Sequence, residues 1–227
     1  MDLTHDDLAL RRWQYPAARA FVGSQVTLAP LDLAADAAEL YHAGHADTTA
    51  RALWQYLPVG PFADRAAFDT WLAQVPGQAG EIPFVVHSHV HNRRAGMIRV
   101  MNIEPAHGCA ELGWIWYAPF IQRTLATTES HFLLLCHVFD ELGYRRVEWK
   151  CNNANERSKA AALRMGFQYE GMFRQHRVIK GQNRDSAWFA LLDSDWPARR
   201  ANFVRVLAGE ASSLAALNAE LRIEMND

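Results

Sequence analysis

The fold of this chain is decided by residues 155–167, which read Asn-Glu-Arg-Ser-Lys-Ala-Ala-Ala-Leu-Arg-Met-Gly-Phe. Asn155 is a favourable N-cap and Gly166 a favourable C-terminal stop, so the stretch predicts one short helix. Immediately upstream, residues 146–151 alternate charged and apolar side chains, which predicts a strand. A strand therefore leads almost directly into a capped helix.

The composition predicts one globular domain. A chain of 227 residues is long enough to bury a hydrophobic core without disulfides or bound metals, and 50% of its residues are hydrophobic. The 23 basic and 25 acidic residues give a formal net charge of -2. Such a balance offers no electrostatic support for nucleic acid or an anionic membrane as the main partner, so we predict neither.

The cysteines and the apolar runs predict a cytoplasmic protein. Cys109, Cys136 and Cys151 are odd in number and widely spaced, which is typical of a reducing compartment rather than a disulfide framework. The acidic opening residues lack the apolar segment of a signal peptide. The longest apolar run, from Phe132 to Cys136, is too short to cross a bilayer.

The remaining periodicity predicts a mixed sheet flanked by helices. Strands are predicted at 26–31, 84–86, 96–103, 110–117, 146–151, 169–178 and 186–192, and helices at 32–42, 64–75, 132–142 and 155–166. We divide the chain into an N-terminal arm at 1–23, a domain at 24–197 and a C-terminal helical extension at 198–227. The arm has no clear period, and both packing and a flexible start fit it.

The Asn-x-x-Ser turn and the Gly-Phe pair within residues 155–167 resemble the Gcn5-related N-acetyltransferases. The resemblance extends through Glu111-Leu112-Gly113-Trp114, Gln122, Glu129, Glu141-Leu142-Gly143-Tyr144, Trp188 and Trp196-Pro197. The resemblance covers roughly residues 24–197. Within the family, the chain is similar to the branch that contains the ribosomal-protein alanine and serine N-acetyltransferases.

The resemblance implies an α/β fold of the α+β type, with a mixed sheet of about seven strands. Two central parallel strands, ending here at Tyr117 and Cys151, would splay apart around the cofactor arm. The implied activity is transfer of an acetyl group from acetyl-coenzyme A (acetyl-CoA) to a primary amine by direct attack in a ternary complex. The acceptor would be a protein N-terminus or a small-molecule amine such as an antibiotic, and a homodimer is possible.

The resemblance also implies which residues contact the cofactor. They are Gln122, Arg123, Thr124, Leu125, Ala126, Thr127 and Thr128 at a helix start, together with Asn155 and Ser158. Leu125 and Thr127 stand where the family has glycine. Backbone N–H groups at a helix N-terminus bind phosphate whatever the side chain, and we expect Arg123 and the threonine hydroxyls to add donors.

The resemblance implies Glu111 as the general base, with Glu104 and His107 as fallbacks from the adjoining turn. In many family members a tyrosine acts as the general acid toward the departing thiolate. Ala162 occupies that position here, which makes Ser158 the candidate acid. Cys151 is a second candidate, although a buried strand cysteine is more often packing.

Three aromatic residues, Trp54, Tyr56 and Phe62, lie in a proline-broken loop that by resemblance borders the acceptor groove. We predict that they contact the substrate, with core packing as the alternative. Loss of the family's glycines and tyrosine leaves a second functional reading open, a non-catalytic sensor or interaction module that binds acetyl-CoA.

The alternation of His87, His89 and His91 invites a metal interpretation, because alternate strand residues share a face. No cysteine or carboxylate accompanies them at ligand spacing. We therefore predict no metal site.

Overall fold

The computed structural model describes residues 11–224, and side chains up to residue 221. One mixed eight-stranded sheet runs through it in the order β1-β2-β3-β4-β5-β6-β8-β7. The strands are β1 Phe21–Val22, β2 Val26–Pro30, β3 Ile82–Ser88, β4 Arg93–Glu104, β5 Cys109–Tyr117, β6 Arg146–Asn152, β7 Gln168–Ile179 and β8 Gln182–Leu192. The fold class predicted from the sequence is confirmed, with the two-residue β1 added to the seven predicted strands.

Within residues 11–224, seven α-helices flank the sheet. They are α1 Leu33–His45, α2 Thr48–Arg51, α3 Arg65–Leu72, α4 Leu125–Leu135, α5 Glu156–Arg164, α6 Trp196–Leu207 and α7 Leu214–Glu224. The side chains of Asp32, Asp64 and Asn155 cap α1, α3 and α5 by accepting backbone N–H bonds. These carboxylate and amide caps satisfy otherwise unpaired donors, so the helices begin where the sequence predicts.

The two faces of the sheet carry separate apolar cores. One contains side chains of α4, α5 and α6, such as Leu134, Ala162 and Phe203. The other contains side chains of α1, α3 and the loop after α2, such as Leu40 and Trp54. The cleft described below lies where the sheet opens between these cores.

Residues before Gly23 are packed rather than loose over the part that the structure describes. The buried indole of Trp13 donates to Gly143 O at 2.5 Å, and the Tyr144 hydroxyl donates to Gln14 O at 3.1 Å. At the other terminus, α6 and α7 contribute to the core with α4 and α5. The predicted boundaries at 23 and 197 thus do not divide the packing; residues 1–10 and 225–227 lie outside the described residues.

The helix predicted over residues 132–142 changes character within its length. After α4, residues Cys136–Glu141 form a π-helical turn, in which Leu142 N donates to His137 O. His137 Nδ1 meets Glu141 at 2.8 Å, while Nε2 accepts from Ala17 N at 3.2 Å. The sequence predicted an ordinary helix there, because the partner from residue 17 is 120 positions away.

The central strands separate as the resemblance implies. β5 and β6 are parallel and pair at three positions, the last of which joins Glu111 to Glu148. Beyond this point β5 stays with β4 and β6 stays with β8. Trp114, at φ +50°, lies where the β4–β5 register shifts. The backbone edges of β5 and β6 therefore face a gap rather than each other.

Candidate active site

A cavity of about 190 Å³ occupies the gap between the diverging strands. Its walls combine strand residues with a loop from each side of the sheet. The polar side chains that line it include Tyr56, Glu111, Lys150, Cys151, Ser158 and Arg184. The residues predicted from the family pattern at β5, β6 and α5 are thus brought to one cavity.

Glu111 lies at the point where the strands separate and is only 2% exposed. Its Oε2 accepts from Asn102 Nδ2 at 2.6 Å and pairs with Lys150 Nζ at 2.7 Å. Burial raises the pKa of Glu111 above its ordinary value, although the lysine charge opposes this. A carboxylate of this kind can exchange a proton closer to neutral pH than an exposed glutamate can.

The two fallback bases lie elsewhere. Glu104 pairs with Cys109 at the start of β5, and His107 lies in the exposed turn between β4 and β5. Neither residue lines the cavity. Glu111 is therefore the candidate base that the fold supports.

Ser158 sits in the first turn of α5 on the opposite wall. Its backbone N–H donates to the Asn155 cap at 3.1 Å, and its Oγ accepts from Trp149 Nε1 at 3.0 Å. Because the indole supplies a hydrogen to Oγ, the hydroxyl hydrogen of Ser158 can donate either to the neighbouring Cys151 sulfur or into the cavity. Such a donor suits a developing thiolate.

Cys151 also lines the cavity, but its thiol is weakly nucleophilic. Burial raises the pKa of the Cys151 thiol, and hydrogen bonding from Ser158 opposes this shift only as a smaller effect. A thiol with a raised pKa stays protonated at neutral pH and is a poor nucleophile. The geometry favours the packing alternative for Cys151.

The loop before α4 presents backbone donors. Arg123 is exposed and left-handed at φ +61°, and Thr124 is an extended N-cap residue whose side chain makes no cap bond. The first N–H groups of α4, beginning at Leu125, therefore have no capping side chain. An uncapped helix start with this geometry suits an anion.

The threonine hydroxyls do not add the donors that the sequence suggested. Thr124 Oγ1 donates to Ile121 O at 2.7 Å, and Thr127 Oγ1 donates to Thr124 O at 3.0 Å. Thr128 is buried and accepts from Arg164 Nη1 at 2.8 Å. Gln122 Nε2 donates to Tyr117 O at 2.9 Å. These side chains shape the loop, which leaves the first backbone N–H groups of α4 and the exposed Arg123 guanidinium as donors.

A buried histidine supports the start of α4, and sequence reasoning missed it. His131 Nδ1 meets Thr127 O at 2.6 Å, and its ring stacks on Trp149 with centroids 5.3 Å apart. Burial lowers the pKa of His131 to about 4, so the ring is neutral at physiological pH. A histidine within an apolar helix gives no sequence signal for this role.

The aromatic loop divides into packing and cavity residues. Trp54 is 0% exposed and donates to Gly44 O at 2.9 Å, and Phe62 packs edge-on against it. Tyr56 alone of the three lines the cavity, with its hydroxyl donating to Ala154 O at 3.1 Å. The prediction that Trp54 contacts substrate is therefore corrected to core packing, and Phe62 likewise lies away from the cavity.

Two charged residues of the cavity, Lys150 and Arg184, were also missed. Lys150 contacts Glu111 and pairs with Trp188 of β8. Arg184 lies four residues before Trp188, and residues an even number apart in a strand share a face. Lys150 and Arg184 therefore lie on the face of the sheet that carries Glu111. The alternation of β6 placed Lys150 opposite to Trp149, which was a usable signal. Its contact with Glu111 depended on strand register, which the sequence does not supply.

The histidines of the β3–β4 hairpin have separate contacts. His89 Nδ1 meets Ser24 O at 3.0 Å, whereas the His91 ring packs on Phe120. Within the residues that the structure describes, no group of three or more metal-ligating side chains is found. Over the same residues, no helix combines the length and apolarity needed to cross a membrane.

Comparison with known proteins places this architecture in a family. Residues 25–168 match the model of the acetyltransferase (GNAT) domain, which is more than half of the chain. The chain belongs to the GNAT acetyltransferase family. The GNAT resemblance stated from residues 155–167 is thereby confirmed.

Individual relatives agree with this assignment. A crystal structure of a Gcn5-related N-acetyltransferase from Brucella melitensis shares 39% identity, with a TM-score of 0.88 over 92% of this chain and 98% of that one. A probable GNAT acetyltransferase from Chromobacterium violaceum shares 38% identity, with a TM-score of 0.78 over 87% and 96% of the two chains.

A curated relative points to the same branch as the sequence motifs. The Bacillus subtilis protein named "Putative ribosomal N-acetyltransferase YdaF" is 30% identical over 105 residues. The match covers 46% of this chain and 57% of YdaF, so it spans a little over half of the relative. At this coverage the chain is similar to such a relative, and its place in the ribosomal-protein branch stays a prediction.

Proposed function

We propose that this GNAT protein is an enzyme that transfers the acetyl group of acetyl-CoA to the primary amine of a protein N-terminus. The observation that carries the proposal is the three-pair contact between β5 and β6, beyond which a cavity opens with Glu111 on one wall and Ser158 on the other. One uncapped helix start, at α4, lies beyond the same diverging strands.

The residues present fit acetyl-CoA. The first N–H groups of α4 suit its pyrophosphate, and the unpaired edges of β5 and β6 offer backbone groups to its amide-bearing arm. Asn155 and Ser158 lie on the cavity wall beside this gap. When bound, the cosubstrate supplies a thioester carbonyl as the electrophile.

Glu111 is the proposed base. An amine must lose a proton to become nucleophilic, and the carboxylate faces the cavity with both its partners bound to Oε2. In residues 11–224 no hydrogen bond reaches Oε1, which leaves this atom to take a proton directly or through one water. Lys150 and Asn102 hold the carboxylate in place.

Ser158 is the proposed acid. Trp149 fixes its oxygen, and its hydroxyl hydrogen is the donor that the α5 wall offers to a sulfur anion. A thiolate is a good leaving group, since the thiol pKa is about 8.5. The serine therefore needs to supply a hydrogen bond rather than complete proton transfer.

Two measurements test the proposal. Isothermal titration with acetyl-CoA, compared with desulfo-CoA, measures whether the cosubstrate binds. Thiol release with short peptides that carry free or N-acetylated termini then measures transfer. Micromolar binding with release from free termini alone supports the proposal. Release with small amines but no peptide would redirect the acceptor, binding without any release would support the sensor alternative, and no binding would overturn acetyl transfer.

A further inference from the structure

A half-buried guanidinium faces the proposed acceptor cavity without a carboxylate of its own. Arg184 lines the cavity, and among the described residues it takes part in no ion pair. Its Nε is buried with no hydrogen-bond partner, and so is the indole Nε1 of Trp188 on the same strand face. Two buried donors on this face of β8 thus lack an acceptor, and Arg184 is the one whose residue lines the cavity.

Several other arginines withdrawn from solvent in this molecule are paired with carboxylates, whereas Arg164, which does not line the cavity, bonds to the Thr128 hydroxyl. Arg99 is 1% exposed and bonds to Glu81 at 2.5 Å, and Arg94 pairs with Asp36 at 2.7 Å. Arg146 reaches two carboxylates, those of Glu148 and Glu170. Removing an unpaired charge from water is costly, and Arg184 combines the lack of a carboxylate with a place on the cavity wall, which favours a functional position.

The nearby carboxylates do not neutralise Arg184. Glu111 contributes electrostatically to it, but the Glu111 oxygen that binds a cation is already held by Lys150 and Asn102. Asp185 Oδ1 accepts instead from Gln175 N at 2.7 Å. Burial lowers the pKa of Arg184, in agreement with an uncompensated charge.

The tip of the β7–β8 hairpin is basic, although Glu170 and Asp185 lie on either side of it. Between residues 174 and 184 it carries Arg174, Arg177, Lys180 and Arg184 and no acidic residue, in a chain with a net charge of -2. None of the four is in an ion pair within the described residues. Lys180 Nζ donates to Trp54 O at 2.7 Å, which joins the hairpin tip to the loop over the cavity.

We propose that Arg184 binds a carboxylate of the acceptor. The acceptor class is then a primary amine with a carboxylate close to it, and the rest of the hairpin attracts further negative charge. This proposal deepens the proposed function by naming the acceptor chemistry. It also makes a binding claim that does not require turnover.

The test uses peptides matched in all but charge. Ala-Glu-Asp-Ala-amide and Ala-Gln-Asn-Ala-amide are titrated into the full-length protein saturated with CoA, and free glutamate and glutamine are compared as small amines. We expect the acidic peptide to bind at least tenfold more tightly than its amide counterpart. Glutamate preferred over both peptides would identify a small acidic amine as the source of the carboxylate, and the acidic peptide preferred over glutamate would identify a protein N-terminus.

Arg184→Gln should abolish the preference for the acidic ligand while leaving acetyl-CoA affinity unchanged. Arg205→Gln, in the exposed last turn of α6, removes the same charge on the other face and should keep the preference. Arg184→Lys should retain part of it. The melting temperature of Arg184→Gln should equal or exceed that of the wild type, because an unpaired buried charge is removed.

Equal binding of the matched peptides, or a preference that survives Arg184→Gln, would overturn the inference. A lower melting temperature of Arg184→Gln would assign the residue a structural role instead. Tight, charge-dependent binding without acetyl transfer would sustain the binding claim and refute the proposed function. Transfer without charge preference would do the reverse.

Discussion

The two ends of the cleft are built from different parts of the polypeptide. At the α4 end, the first backbone N–H groups have no side-chain cap, and the side chains of Thr124 and Thr127 bond inward to their own loop. At the acceptor end, the cavity is lined by charged side chains, namely Glu111, Lys150 and Arg184. A site made of backbone tolerates sequence change, whereas a site made of charged side chains does not.

This difference explains the glycine-poor loop before α4. Leu125 is 37% exposed at the helix start, so its side chain points away from the protein interior while its N–H belongs to the helix terminus. The proposed pyrophosphate site therefore does not require the family's glycines, provided that the left-handed turn at Arg123 is kept. The acceptor end should respond far more strongly to substitution.

The largest effect is expected from Glu111→Gln. Removing the base should lower kcat/KM by about 100-fold or more, because general-base catalysis contributes on that scale. The affinity for acetyl-CoA should stay within about twofold, since the α4 end is untouched. Steady-state kinetics and calorimetry on the same preparation measure both, and unchanged kcat/KM would remove Glu111 from the mechanism.

The pH profile of the wild type gives the matching control. Glu111 must be deprotonated to act, so kcat/KM should rise with pH through the raised pKa of its carboxyl group. That ascending limb should lie above the range of an ordinary glutamate and be lost in Glu111→Gln. A limb at the pH of an exposed carboxylate would argue for a different base.

The next effect tests the neutral support beneath the α4 end. The pKa of His131 is about 4 in the folded chain against 6.5 for a free histidine, so its contribution to stability is complete above pH 6.5 and is lost as pH falls toward 4. The loss amounts to about 3 kcal/mol at roughly 1.4 kcal/mol per pKa unit.

His131→Phe keeps the aromatic stack and removes the titration. Urea unfolding at pH 7 and pH 4.5 should show a smaller acid-induced loss of unfolding free energy in this variant than in the wild type. His107→Phe, at an exposed turn position, should behave as the wild type does. The same acid-induced loss in His131→Phe would mean that other groups cause it.

A smaller effect is expected on the α5 wall. Ser158→Ala should lower kcat by about tenfold, less than general acids often contribute, because a thiolate leaves readily. Ser158→Thr retains the hydroxyl and should recover most of the rate. Rapid-quench measurement of the chemical step is the suitable assay, and equal rates for the alanine variant and the wild type would exclude Ser158 as the acid.

The smallest effect separates backbone from side chain at the α4 end. Leu125→Pro deletes one N–H at the first helical position, where proline is tolerated and the preceding Thr124 is already extended. Acetyl-CoA binding should weaken about fivefold, whereas Leu125→Ala should leave it unchanged. Titration of both variants tests this, and the reverse order would mean that the side chain, not the backbone, contacts the ligand.

Local signals in the sequence predicted much of the fold. Asp32, Asp64 and Asn155 cap helices because a short polar side chain ahead of an apolar period serves unpaired N–H groups. Gly143 ends a helical segment at φ +63°, as a glycine stop should. These features depend on residues within one turn of each other.

Features that depend on distant residues were not predictable in this way. Trp54 in a loop fits a groove or a core equally well until α3 packs over it, and Lys150 meets Glu111 through a register set by the crossover between β5 and β6. Arg184 joins them from a third segment of the chain. The family resemblance predicted the separation of β5 and β6 and the candidate base Glu111. The charged neighbours of Glu111 could be found only from the folded chain.

The contact between Trp13 and Gly143 has a consequence for synthesis on the ribosome. The two residues are 130 positions apart, so the indole and the segment around it emerge long before their partner exists. Until then this apolar side chain is exposed on a growing chain whose first strand also lacks its α4 neighbour. The segment around Trp13 is thus translated well before the residues that bury it.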